Sequence, residues 1–254
     1  MSSLPQASNR DLRDEIRDYW SDRAATFDDS PGHRITDGAE RAAWEALFRR
    51  HLGPGEGRAL LDLASGTGEI SRLCQGLGFS VTGLDWSEPM LARARVKLPG
   101  VSFLQADAER TMLPAASMDV IVTRHLVWTL VDPPAAFAEW RRVLKPGGQL
   151  LLVDGDFVTP GWITRLVRRL RPETSLTPDR RRHADILSRV YFSQGARADH
   201  IARLLADAGF RDIRIDTRLG AIHRAQAASF GLKRSLLRRT EHRYAICARA
   251  PLTD

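Results

Sequence analysis

Hydrophobic and polar positions fall into two regimes along this chain. From Arg58 to Asp156 short apolar runs alternate with amphipathic stretches in the order strand, helix, strand, helix, strand, strand, helix, strand. That alternation predicts an α/β fold, a mostly parallel sheet covered by helices on both faces. Ala59 to Leu63 reads as a buried strand and Ser80 to Leu84 as its neighbour. Ahead of them, Asp11 to Phe27 is a polar helix that gathers Ile16, Tyr19, Trp20, Arg23 and Phe27 toward one side. Pro31-Gly32 interrupts it, Ala39 to His51 forms a second helix, and Gly53 to Gly57 is a loop delivering the first strand. After Asp156 the pattern loosens over Val158 to about Ser193. It resumes as a helix over Ala198 to Ala208, a strand over Asp212 to Thr217, a variable connection over 218–241, and a last strand over Tyr244 to Ala250. The expected organisation is a helical cap over residues 1–57 and a core over 58–254 with a lid insertion at about 158–193.

The turn after the first strand narrows the chemistry. Gly66 and Gly68 let a ligand lie against bare backbone. Asp85 ends the second strand 19 residues after Gly66, where a carboxylate can accept hydrogen bonds from both hydroxyls of a ribose. These features describe a nucleoside crevice. A dinucleotide fingerprint needs a third glycine for close helix packing, and Ser71 stands at that position, which speaks against NAD.

The stretch Asp62-Leu-Ala64-Ser-Gly66-Thr-Gly68 resembles motif I of the class I S-adenosylmethionine (SAM) methyltransferases, with Ala64 in place of the first glycine. The resemblance runs through roughly residues 58 to 157. Val101 to Glu109 is similar to the family's third strand with its adenine-contacting Asp-Ala, here Asp107 and Ala108. Met118 to Arg124 resembles strand four, and Trp140 to Val153 the following helix, turn and fifth strand, with Pro146-Gly147-Gly148 ending the helix and Lys145 in its last turn. The broad group suggested is that of the ubiquinone and menaquinone biosynthesis enzymes. The resemblance implies a Rossmann-like seven-stranded sheet with strand seven antiparallel, SAM as cofactor and S-adenosylhomocysteine (SAH) as product. It implies Asp85 on the ribose, Asp107 and Ala108 on the adenine edge, Trp86 and Met90 packed on the adenine, Gly66 and its neighbours on the methionine portion, and Asp62, Ala64, Gly68 and Arg124 among the cofactor-binding residues, Arg124 through its backbone or side chain. The N-terminal segment would close over the pocket through Tyr19, Trp20 and Arg23, with Arg23 meeting the methionine carboxylate; the alternative is plain packing of Tyr19 and Trp20 onto the sheet.

Methyl transfer is mainly a matter of positioning, so no single catalytic signature is expected. His125, at the carboxyl end of strand four, is the leading base candidate, since ligands of doubly wound sheets bind outside those strand ends and an imidazole titrates near neutral pH. The alternative is that it shapes the pocket. Asp154 and Asp156 follow strand five and would suit a cationic amine acceptor, or else serve turns and caps. Tyr191, His183 and His33 are lone polar residues in segments without a clear pattern. Asp132-Pro133-Pro134-Ala135 looks like the box of adenine-specific nucleic-acid methyltransferases, but it lacks the aromatic and stands where a helix begins. Ser87 and Pro89 likewise mark the start of a helix.

Composition changes this picture little. A chain of 254 residues, 43% hydrophobic, can bury one good core. The net charge of +7 raises the question of a nucleic-acid partner, but the basic residues are almost all arginine, a bias more in keeping with genome composition than with a phosphate-binding surface, and nucleic acid is not the expected partner. Trp162 to Leu170 forms an amphipathic basic helix, either a substrate lid or a peripheral membrane contact. Arg180 to Arg182, Lys233, Arg234, Arg238 and Arg239 read as solvated faces. Cys74 and Cys247 are isolated, so no metal site or disulfide is indicated. With no signal-like or membrane-spanning run, a cytoplasmic monomer or homodimer is expected. The expected reaction is methylation of N, O or C on a small-molecule acceptor; alternatives are an RNA or protein methyltransferase and a non-catalytic SAM-binding regulator.

Overall fold

A computed structural model of the chain describes residues 5–30, 32–157, 177–228 and 242–252. The described strands are β1 (Ala59–Leu63), β2 (Ser80–Asp85), β3 (Ser102–Gln105), β4 (Met118–Arg124), β5 (Leu144–Asp156), β6 (Arg211–Asp216) and β7 (His242–Arg249). They form one seven-stranded sheet in the order β3-β2-β1-β4-β5-β7-β6. β7 lies antiparallel between β5 and β6, and the remaining pairs are parallel, as the Rossmann-like reading requires. The chain leaves β1 toward β2 on one side and returns through β4 on the other, which opens a crevice at the carboxyl ends of β1 and β4.

Strand residues alternate between two cores. Leu61, Leu63, Ile121, Leu150 and Leu152 face α5 (Pro133–Val143) and α7 (Ala198–Asp207), where Phe137, Trp140, Ile201 and Leu205 are buried. Leu60, Val120, Val122, Leu151 and Val153 face α2 (Ala39–Leu52), α3 (Glu69–Gly76) and α8 (Gly220–Ala228) through Trp44, Phe48, Ile70, Leu73 and Ile222. Each large apolar side chain so buried stabilises the sheet by roughly 1.5–3 kcal/mol, giving the crevice a rigid floor. α4 (Glu88–Lys97) packs Leu91, Ala94 and Leu98 against Val101 and Phe103. Beneath it Gly83 is obligatory, because a Cβ there would come within 2.5 Å of the Phe103 ring.

Helix starts follow their capping residues. Ser87 Oγ accepts from Met90 N at 3.4 Å with Pro89 in the first turn, and Asp132 accepts from Ala135 N at 3.2 Å ahead of Pro133 and Pro134. The boundary before β5 differs from expectation: α5 stops at Val143 and β5 begins at Leu144, paired with Met118. Lys145 is therefore no helix terminus, and its ammonium pairs instead with Asp119 at 2.7 Å. The N-terminal helix, α1 (Pro5–Arg23), starts earlier and ends sooner than the periodicity suggests, continuing as a tight 3-10 segment over Ala24–Asp29.

The loosened region after β5 holds a helix of its own, α6 (Pro178–Arg189), capped by Thr177 and opened by Pro178. It packs on α1 through Leu12, Tyr19, Ile186 and Val190. Ion pairs join the two helices at Arg23–Asp179, Arg182–Asp22 and Arg189–Glu15. Two members of the arginine run thus do more than face solvent, since Arg180 lines the cavity described below. α8 likewise occupies part of the variable connection. The amphipathic stretch Trp162 to Leu170 lies outside the described residues, as do Lys233, Arg234, Arg238 and Arg239. Among the described residues no helix is long and apolar enough to cross a membrane.

Candidate active site

A cavity of about 530 Å³ occupies the crevice, roofed by α1, the segment after it and α6. One half is built from strand ends and turns. After β1 the backbone turns through Ala64, Gly66 and Gly68 at φ of 54°, 54° and 87°. Ala64 holds a left-handed conformation that disfavours a side chain by about 1–2 kcal/mol, which explains why a glycine suits that position. A Cβ on Gly66 would find only Phe27 Cε1, at 3.8 Å, so the turn presents bare backbone to the cavity.

Asp85 stabilises this turn from the end of β2. Its Oδ2 accepts from Gly66 N and its Oδ1 from Ser87 N, each at 2.8 Å. Each oxygen keeps a further lone pair for a ligand hydroxyl. Burial raises the Asp85 carboxyl above its usual range, opposed by those backbone donors. Trp86 and Met90 line the same side, Met90 buried and Trp86 with the Arg17 guanidinium 5.7 Å from its ring. Asp107, whose carboxyl burial also pushes up, accepts from Glu109 N at 2.9 Å. Ala108 is buried and its carbonyl accepts from Trp140 Nε1 at 2.8 Å. Glu109 ties the turn to α1 through Arg13 and to the loop after β4 through Val131 N.

Asp62 lies deeper, 1% exposed, and burial lifts its carboxyl to about 7. Ser71 Oγ donates to it at 2.7 Å. The serine that stood only as a missing glycine is thus the residue that orients Asp62. Arg124 faces the same region from β4. Its Nη2 donates to the His33 carbonyl and its guanidinium lies 5.5 Å from the Trp44 ring, while Nη1 is buried with no hydrogen-bond partner. An unsatisfied buried cationic donor fits a carboxylate ligand. Arg23, expected in that role, is held instead by Asp179 and lies 5.1 Å from the Tyr19 ring. The carboxylate Asp62, the open guanidinium of Arg124, the ribose-ready Asp85 and the bare Gly66 turn together fit a nucleoside carrying an amino-acid tail.

The roof over this half is latched. Thr67 Oγ1 donates to Asp28, and Lys97 bridges Asp28 and Glu69 at 2.6 and 3.0 Å. Ser21 Oγ meets Ser87 Oγ at 2.9 Å.

The other half is made of rings. Trp20 meets Trp128 edge to face at 6.3 Å, and Trp128 meets Phe157 at 5.4 Å and His183 at 5.7 Å. His125 sits at the junction of the halves with φ 62°, a left-handed value for a non-glycine residue. Its amide donates to Val153 O at 3.1 Å and its carbonyl accepts from Trp128 Nε1 at 3.0 Å. Its Nε2 lies 3.4 Å from Arg243 Nη1, so with the guanidinium as donor that nitrogen presents its lone pair to Arg243. His125 thus lines the pocket in contact with Arg243. Tyr19 and Arg23 line this half rather than the methionine end.

Asp154 and Asp156 are not in the cavity wall. Asp154 spends its oxygens on Val127 N at 2.7 Å and Gly155 N at 2.8 Å, capping the loop that carries His125 and Trp128. Residues that the sequence reading missed are Trp128, Phe157 and Arg243, together with Ser71 as the partner of Asp62. His183, weakly marked in the sequence, is in the wall; Tyr191 is not among the lining residues and is exposed.

Comparison with known proteins agrees with this geometry. Residues 61–152 match the family model described as a methyltransferase domain. A demethylmenaquinone methyltransferase of Renibacterium salmoninarum is 30% identical over 224 residues, covering 80% of this chain and 90% of its own length. Another, of Paenarthrobacter aurescens, is 28% identical over 238 residues, covering 88% and 90%. Among solved structures, phosphoethanolamine N-methyltransferase 2 of Haemonchus contortus with S-adenosyl-L-methionine superposes at a TM-score of 0.66 and 18% identity, a likeness of fold. The superposition covers 93% of this chain, which spans 60% of that structure.

Proposed function

The chain belongs to the class I SAM-dependent methyltransferases, and from that premise we propose that its acceptor is a flat, largely apolar small molecule bearing an acidic hydroxyl, methylated on oxygen or ring carbon. When bound, SAM supplies a methyl group on a positive sulfur and leaves as SAH. The protein's task is then to hold the acceptor in line with that methyl, a positional advantage of ~7–11 kcal/mol in favourable cases.

One observation carries the choice of acceptor. The half of the cavity beyond His125 is walled by Trp20, Trp128, Phe157 and His183, and arginines outnumber carboxylates among its charges: Arg243, set 5.3 Å from the Phe157 ring, with Arg23 and Arg180. The carboxylates facing that half are already engaged, Asp179 by Arg23 and Glu109 by Arg13. A cationic amine would meet like charge, whereas an aromatic hydroxyl meets ring faces and a donor for its developing anion. Demethylmenaquinone, the acceptor in the relatives' names, is a flat apolar molecule that gains ring hydroxyls once reduced to its quinol, and in that form is one candidate of this type. The room beside the donor half also speaks for an enzyme rather than a SAM-binding regulator. Residues 1–57 and α6 act in this reading as the cap under which the acceptor enters.

Incubation of the chain with methyl-labelled SAM and matched sets of hydroxylated aromatics, amines, RNA and protein tests the reading. Label in a hydroxylated aromatic is the expected product. Label confined to amines, RNA or protein would overturn it.

A further inference from the structure

The reaction proposed above must dispose of the acceptor's hydroxyl proton. In the ring-lined half neither imidazole offers its Nε2 to an entering hydroxyl. That of His125 is turned to Arg243 at 3.4 Å, and that of His183 is out of solvent, in a ring packed by Tyr19, Trp20 and Trp128. The carboxylates Asp179 and Glu109 are held by Arg23 and Arg13. Of the arginines there, Arg23 and Arg180 come from the cap helices, whereas Arg243 comes from the sheet.

Arg243 is half-buried in the cavity wall. It stands on β7 opposite Gly155 of β5, and a Cβ on Gly155 would come within 3.1 Å of its Cγ, so the glycine leaves the lane in which the side-chain stem lies. At the end of that stem the guanidinium carbon is 5.3 Å from the Phe157 ring, and Nη1 donates to His125 Nε2. Phe157 and His125 line the cavity and meet edge to face with centroids 5.3 Å apart. A guanidinium carries five N–H donors in a fixed fork, so one contact orients it without by itself exhausting it.

The charges nearby favour an anion at this place. From β4 the positive charge of Arg124 repels Arg243; burial first, and then this repulsion, lower the Arg124 pKa, while Glu69, Asp62 and Glu40 oppose. From β5 Asp154 attracts Arg243, but burial lifts its carboxyl to about 7 and its oxygens serve Gly155 N and Val127 N. Two cations that repel at the junction of the halves are relieved by a negative charge beside them, and an anion so placed is itself made easier to form.

We propose that Arg243 binds the acceptor as its oxyanion, so that the hydroxyl ionises as it meets the guanidinium and methyl transfer needs no protein base; the assignment rests on the hydroxylated-aromatic reading. The O–H bond breaks with its proton leaving to water, and its electron pair stays on the acceptor oxygen. The anion's electrons, from oxygen or from the ring carbon they reach by conjugation, form the new bond to the methyl carbon as the carbon–sulfur bond breaks toward sulfur. For attack by carbon, the ring proton at that position then leaves to water. Arg243 holds the charge in place until it is consumed.

The test is the ionisation of para-nitrophenol, whose anion absorbs at longer wavelength than the neutral phenol, bound to the protein with SAH and followed by absorbance against pH. Wild type, Arg243→Met and Arg243→Lys are compared, with SAH affinity as the measure of an intact fold and Arg243→Gln as the substitute should the methionine variant fail to bind SAH. In the wild type the bound probe should ionise about 1–3 pH units below the free phenol. Arg243→Met should abolish that shift, and Arg243→Lys should keep part of it. With a hydroxylated aromatic that the wild type methylates, kcat of Arg243→Met should fall about 10²–10³-fold near neutral pH, and its rise with pH should move to higher pH by the lost shift. An equal midpoint for the probe in wild type and Arg243→Met, or an unchanged pH profile of kcat, overturns the role of Arg243 alone. A wild type that methylates no hydroxylated aromatic overturns the acceptor reading, and this assignment with it.

Discussion

Between Asp62 and Ala108 the cavity wall is one continuous stretch of strand ends and turns, whereas beyond His125 it is assembled from α1, the loop after β4, α6 and β7. In the first region the ligand-facing groups are fixed by backbone: Asp85 by Gly66 N and Ser87 N, Asp107 by Glu109 N. In the second they are fixed by one another, ring against ring and guanidinium against imidazole. On the proposed function the sheet dictates the donor half, and substitutions in the acceptor half are expected to change which molecule fits without disturbing it. A shared fold with divergent acceptors follows from this division.

The division can be broken or sharpened by substitution. Apart from Asp85→Ala, taken up below, the largest effect is expected from Asp62→Asn, which keeps an acceptor for Ser71 but removes the charge facing a ligand cation. SAH affinity measured by calorimetry should fall about tenfold to 150-fold, the worth of one charged hydrogen bond at ~1.5–3 kcal/mol. In the wild type that affinity should rise with pH through about 7 as the raised carboxyl ionises, and in the variant it should stay flat. Stability of the ligand-free protein runs the opposite way. A buried carboxyl raised from 3.8 to about 7 stabilises fully at low pH and loses that contribution as pH rises through about 7, so the melting temperature should fall over this window, less in Asp62→Asn. Asp154, lifted to about 7 by burial, sustains the remainder of the decline.

Next in size, Gly83→Ala forces a methyl to within 2.5 Å of Phe103 and 3.0 Å of Ser65 Oγ. Unfolding in denaturant should show a loss of ~1–3 kcal/mol, with the donor half weakened through its floor. The smallest change is expected from Arg189→Ala, which removes the exposed pair with Glu15 between α1 and α6. Stability should move by no more than ~1 kcal/mol. A larger loss would show that the roof is held by its surface charges rather than by Tyr19, Ile186 and the rings beneath.

The same contrast explains how much could be read from the chain. Gly66, Gly68 and Asp85 are close in sequence because strand, turn and strand are consecutive, so spacing alone reveals their partnership. Ser71 was visible as a departure from a dinucleotide pattern, while its bond to Asp62 depends on the helical turn that brings it back nine residues. Arg243 could not be linked to His125, from which it lies 118 residues away. Asp154 and Asp156 sit at the right end of β5, yet Asp154 turns inward to cap Val127 N. α6 is masked by its own charge, Pro178-Asp-Arg-Arg-Arg-His183, and only Thr177-Pro178 announces it. Lys145 shows the limit at boundaries, where pairing of Leu144 with Met118 outweighs the helical pattern.

Separability of the two halves is tested most directly by titrating SAH into Asp85→Ala and Trp128→Ala side by side by calorimetry. Asp85→Ala should lose about 100-fold or more in affinity, two charged hydrogen bonds together contributing ~3 kcal/mol or more, and Trp128→Ala should bind SAH within about twofold of the wild type while its acceptor KM rises about tenfold. Undiminished binding by Asp85→Ala, or an equal loss in both variants, would contradict a cavity divided in this way.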